Sequence, residues 1–158
     1  MSIESSISGQ QIPKNSFGNI RIKAEPSELK MRILLVAKAT IPFERNAIMF
    51  LSSSLKKQGY EVKAGLLNYS TAKSENQEVE KNQERIYKLV KDFKPHIVGY
   101  SCMTGEHYYI LKMNALLKKD FKFFSVMGGP HPTFDKSVIE EDGIDAICTG
   151  EGDASFPE

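Results

Sequence analysis

Residues 32–37 form a continuous aliphatic run of strand length with no polar face, the pattern of a parallel strand covered on both sides. Residues 60–67 alternate at first and predict a second strand, and 96–101, 122–127 and 144–148 predict three more. Between them the apolar period lengthens to that of a helix. Ala47, Ile48, Phe50, Leu51 and Leu55 mark a helix over 44–58, stopped by Gly59. Ile86, Leu89, Val90 and Phe93 mark another over 84–93, ended at Lys94 and Pro95. Ile110, Leu111, Met113, Leu116 and Leu117 mark a third over 107–119. Thr133 or Asp135 is expected to cap a short helix reaching Glu141, and the polar residues 68–82 read as a long loop. Strands alternating with helices imply right-handed crossovers and a parallel sheet. The fold expected is α/β, a flavodoxin-like three-layer sandwich with a five-stranded parallel sheet in the order 2-1-3-4-5.

Composition narrows the classes of partner. The 158 residues are 41% hydrophobic and 26% charged, enough to bury a core, and the net charge of +1 gives no bulk attraction to nucleic acid or to an anionic membrane. No apolar segment approaches the ~20 residues needed to span a bilayer. Residues 1–12 lack a basic region followed by an apolar core. Cys102 and Cys148 are isolated thiols without Cys-x-x-Cys spacing, which fits a reduced, cytoplasmic protein. Residues 1–30, polar and without period, read as a flexible N-terminal extension, and 31–158 as the folded domain.

In such a sheet every ligand-facing loop follows a strand. The loop after the fourth strand, Gly128, Gly129, Pro130, His131, Pro132 and Thr133, combines bare backbone with stiffened positions; the prolines bias Gly129 and His131 toward extended conformations. After the third strand come Ser101, Cys102, Met103, Thr104 and Gly105, and after the fifth Gly150, Glu151 and Gly152. Small residues admit a bulky flat ligand, and Ser101, Thr104 and Thr133 can bond its amide or phosphate groups. His131 is the best functional candidate of the three histidines, His107 lies in the first turn of its helix, and His96 reads as structural. No metal-ligand spacing links them to one another or to the cysteines. Phosphate-loop, Gly-x-Gly-x-x-Gly and Gly-x-Ser-x-Gly motifs are absent, as are the acids of a phospho-acceptor site.

Together these residues resemble the cobalamin-binding domain found at the N-terminus of many radical S-adenosylmethionine enzymes. The likeness covers residues 31–158. It rests on the run from Gly128 to Thr133 and on Gly150, Glu151, Gly152 and Asp153, supported by residues 33–36, 59–62 and 95–101. The resemblance implies a corrinoid over the carboxyl edge of the sheet, its nucleotide tail descending beside the third and fourth strands. It implies a cofactor-binding set of Thr40, Ser101, Met103, Thr104, Gly105, Gly128, Gly129, His131, Thr133, Gly150, Glu151 and Gly152, with Gly128 and Gly129 making room for the tail. Relatives that ligate cobalt from below use Asp-x-His-x-x-Gly after the first strand. No histidine precedes His96 here, so cobalamin would be held without that ligand. The resemblance also implies a barrel domain, in cis or in trans, carrying a Cys-x-x-x-Cys-x-x-Cys cluster motif. Cys102 and Cys148 cannot supply that motif, so no iron-sulfur cluster and no catalysis by this chain alone are expected. The alternative is a cofactor-free structural or interaction domain that keeps the fold. A flavin or other nucleotide binder is disfavoured by the loop at Thr40, which is poor in Gly and Ser.

Overall fold

The computed structural model describes residues 30–38, 42–68 and 75–150, and the N-terminal extension expected over 1–30 therefore lies outside the described residues apart from Lys30. β1 (Arg32–Lys38) is the central strand, and its alternate side chains feed two separate cores. Ile33, Leu35 and Ala37 pack with Val62 against Ile48 and Leu55 of α1 (Pro42–Lys57). Leu34 and Val36 face the other way, into a larger cluster with Ile86, Val90 and Phe93 of α2 (Glu75–Phe93) and Ile110, Met113 and Leu117 of α3 (His107–Asp120). Burial on both faces is why the strand has no polar side.

β2 (Glu61–Leu67), β3 (Ile97–Ser101), β4 (Phe124–Gly128) and β5 (Ala146–Ile147) complete a five-stranded sheet in the order β2-β1-β3-β4-β5, with every pairing parallel. With α1 on one face and α2 and α3 on the other, this is the expected flavodoxin-like sandwich. The entry side of β1 and β3 is stitched by His96, whose Nδ1 accepts from the Arg32 amide at 3.0 Å. No helix among the described residues is long and apolar enough to cross a membrane.

Five local expectations need correction. The loop expected over 68–82 is shortened by α2, which starts at Glu75, while residues 69–74 lie outside the described set. Its inner face there carries the buried Asn82, whose Oδ1 accepts from the Asn68 amide (3.1 Å) and whose Nδ2 donates to the Asn68 carbonyl (2.7 Å). A buried asparagine holds the place an apolar residue would fill, so the period was hidden. In α1, Ala47 is exposed and Phe50 is 73% exposed; the inward stripe is Ile48, Leu51 and Leu55.

His131 is not extended. It lies in a one-turn helix, α4 (Pro130–Phe134), because its amide donates to the Cys102 carbonyl (3.0 Å) and its carbonyl accepts from Asp135 N (2.8 Å). These tertiary bonds outweigh the bias set by Pro132. Thr133 sits inside that turn, while Asp135 caps a separate 3₁₀ turn (Lys136–Glu140) by accepting from Ser137 N at 3.0 Å. β5 is shorter than expected. Asp145 before it turns its carboxylate to the Ser125 amide and hydroxyl and to Lys118.

Candidate functional site

The loops after β3 and β4 meet at the carboxyl edge of the sheet and are locked together there. Cys102 N donates to the Gly128 carbonyl (2.8 Å), and the Cys102 carbonyl accepts from His131 N (3.0 Å). Ser101, at the end of β3, and Met103 just beyond it are half-buried, whereas Thr104 and Gly105 are exposed. A Cβ added to Gly105 would meet no atom within 4 Å, and the same holds at the exposed Gly150 after β5. Both are surface turn glycines at positive φ, +94° and +80°.

Gly129 has a local reason to be glycine that the sequence did not show. A Cβ on Gly129 would stand 3.0 Å from both the nitrogen and the oxygen of Cys102, and the residue has φ +97°. A close backbone neighbour is what requires glycine there. At Gly128 a Cβ would make ordinary contact with Cys148 at 3.6 Å. The Thr133 hydroxyl is committed as well: it donates to the Gly129 carbonyl (2.9 Å) and accepts from Gly150 N (3.2 Å), tying the β4 and β5 loops. Thr40, Glu151 and Gly152 lie outside the described residues.

His131 is 6% exposed, and its ring stacks on that of His107 with centroids 4.4 Å apart and planes 19° apart. Burial lowers the His131 pKa and the neighbouring His107 lowers it further, partly opposed by Asp135. Tyr108, 69% exposed, also meets the His107 ring, at 4.2 Å between centroids and 38° between planes. Sequence reasoning left His107 outside the candidate set. The signal it missed is spatial: two loops far apart in sequence bring the imidazoles together. On the far side of the edge, Lys38 at the end of β1 pairs with Glu106 just before α3 at 2.8 Å, linking the two strands that flank the switch point. The geometry offers a preset wall of rings and small polar residues suited to a flat ligand rimmed with amides.

Comparison with known proteins places this arrangement. The sequence model of the B12 binding domain matches residues 32–158. An uncharacterized methyltransferase of Pyrococcus horikoshii is 38% identical over 76 residues, which make up 46% of this chain and 17% of that protein. The cytidylyl-2-hydroxyethylphosphonate methyltransferase of Streptomyces wedmorensis is 27% identical over 120 residues, covering 68% of this chain and 22% of that protein. The matched stretches thus span about a fifth of the length of these relatives. Among solved structures, the lac repressor dimer bound to operator and an anti-inducer overlaps 65% of this chain and 28% of that one, at 10% identity and a TM-score of 0.44. That overlap is too loose to build on.

Proposed function

The chain belongs to the B12 binding domain family, and from that premise we propose that it holds cobalamin at the carboxyl edge of its sheet, as the cofactor-carrying module of a methyl-transferring enzyme of the radical S-adenosylmethionine kind. What carries this reading is the match of the B12 binding domain to residues 32–158, with the stacked rings of His107 and His131 at the carboxyl edge beside it. Carriage of a methyl group at a cobalt centre is the chemistry such a cofactor supplies. The protein's part is to hold and orient it. Ser101 and Thr104 offer hydroxyls to amide or phosphate groups, Met103 offers apolar surface, the buried His131 backs the His107 ring, and Gly105 and Gly150 add no side chain at the rim. Thr40, Glu151 and Gly152, which follow β1 and β5 in sequence, complete the proposed set together with Gly128, Gly129 and Thr133. No histidine precedes His96, so the β1 loop would present no imidazole to the metal. The two cysteines cannot make a three-cysteine cluster site, so the iron-sulfur chemistry is assigned to a barrel domain in cis or in trans. Both relatives are named as methyltransferases, which supports the reaction class.

The test is spectral. Purified protein mixed with hydroxocobalamin and desalted should keep the corrinoid's visible absorbance at about one equivalent per chain. A folded chain that emerges colourless refutes the proposal. The second reading, a cofactor-free interaction domain, is favoured by one fact: Gly129 and Thr133 are taken up by internal contacts. It predicts no corrinoid retention but capture of a separately expressed barrel protein in a pull-down.

A further inference from the structure

Among the described residues, the buried asparagines and Ser125 are all hydrogen-bonded. Asn82 bonds the Asn68 backbone, Asn114 bonds Tyr100 and Gly143, and Ser125 bonds Gly143 and Asp145. Among the described residues, Nδ1 of His107 is the buried side-chain nitrogen or oxygen with no hydrogen-bond partner. Native folds rarely leave such a group unmet, and where they do the position is a candidate for function. His107 opens α3, two residues after the exposed Gly105. Its ring meets those of Tyr108 and His131.

We infer that His107 is a cofactor-binding residue, whose Nδ1 makes a hydrogen bond to a side-chain amide on the rim of the corrin ring; this rests on the reading of the chain as a cobalamin holder. An amide suits the orphaned atom in either tautomer, because it offers an N–H to an accepting nitrogen and a carbonyl to a donating one. Two motions give it access. The neighbouring Tyr108 is 69% exposed, so core packing does not pin its ring. A half-turn of the imidazole about its soft Cβ–Cγ torsion exchanges the places of Nδ1 and Cδ2. The face-to-face contact with His131 survives that half-turn, so the wall stays in place while the nitrogen changes edge.

The experiment titrates hydroxocobalamin, and cobinamide, which lacks the nucleotide tail, into the parent chain and into His107→Phe and His107→Asn, with the melting temperature of each unliganded protein measured alongside. His107→Phe keeps the ring stack and deletes the orphaned atom. It should bind both corrinoids about tenfold more weakly while its unliganded melting temperature holds or rises. His107→Asn, which places a polar atom where Nδ1 stood, should recover most of the affinity. Equal binding by His107→Phe and the parent overturns the inference. So does a penalty confined to hydroxocobalamin, which would put the contact on the tail, or a melting temperature that falls in step with affinity, which would make the role structural. A parent chain that binds neither corrinoid overturns the functional reading itself, before any variant is compared.

Discussion

The peptide of Cys102 occupies the space in which Gly129 would carry a side chain: an ideal Cβ there lies 3.0 Å from both its nitrogen and its oxygen. With φ +97° and ψ −169°, Gly129 also occupies a backbone region that other residues enter only under strain. Gly129→Ala should therefore destabilise the chain by about 3 kcal/mol, read from urea unfolding. A loss below about 0.5 kcal/mol would mean that the Cys102 loop yields and that the two loops are not locked.

Gly128 makes the contrasting case and is the cleaner probe of the ligand edge. A Cβ there meets Cys148 at an ordinary 3.6 Å and the backbone φ is not in the left-handed region. Gly128→Ala should change stability by less than about 1 kcal/mol. If hydroxocobalamin retention drops in that folded variant, the cofactor passes close to Gly128; unchanged retention moves it toward Gly105 and Gly150.

Thr133 joins the β4 and β5 loops through one hydroxyl that donates to Gly129 and accepts from Gly150. Thr133→Val keeps the shape and loses both bonds, at a cost of about 1–2 kcal/mol in unfolding free energy. Thr133→Ser should restore most of it. Equal stability of the valine and serine variants would show that the hydroxyl adds nothing.

Asn114 is fully buried on α3, where Oδ1 accepts from the Tyr100 hydroxyl (3.0 Å) and Nδ2 donates to the Gly143 carbonyl (2.6 Å). Asn114→Ala strands both partners and should cost about 3 kcal/mol. Combining it with Tyr100→Phe should cost less than the sum of the two single changes, since they share one bond. Strict additivity in that cycle would deny the coupling.

Two histidines set the response to mild acid. Burial, reinforced by His107, lowers the His131 pKa, and burial with the Arg32 charge lowers that of His96. In the unfolded chain both titrate near about pH 6.5. Below that pH the unfolded state takes up protons that the folded state refuses, so stability is full above it and declines as pH falls toward the folded-state values. Asp145 acts lower down. Burial pushes its pKa up, but hydrogen bonds from Lys118 and Ser125 outweigh that and hold it below the ordinary carboxylate value, so its contribution is lost as pH falls through the folded-state pKa. Urea midpoints measured from pH 8 downward should begin to fall below about pH 6.5, with a shallower slope in His131→Gln.

The sheet could be read from the chain because its strands are apolar on both faces and its helices alternate with them; order and direction then follow from handedness. What escaped the pattern was polar and buried. Asn82 concealed the first turns of α2, and Asn114 lay unnoticed in the inward face of α3, because a hydrogen-bonded amide fills a core position without looking apolar. The loop after β4 was singled out for its glycines and prolines. The cause of its glycine at 129, however, was a main-chain neighbour from another crossover, and no local spacing reports that. His107 was missed for the same reason, since its partner His131 comes from a different loop.

The double tie at Cys102, amide to Gly128 and carbonyl to His131, makes the third and fourth crossovers mechanically one body. A molecule arriving at this edge meets a finished surface and need not gather two independent flaps, so little ordering entropy remains to be lost on capture. Conversely, α4 cannot shift without pulling on the Cys102 peptide that accepts from its His131 amide.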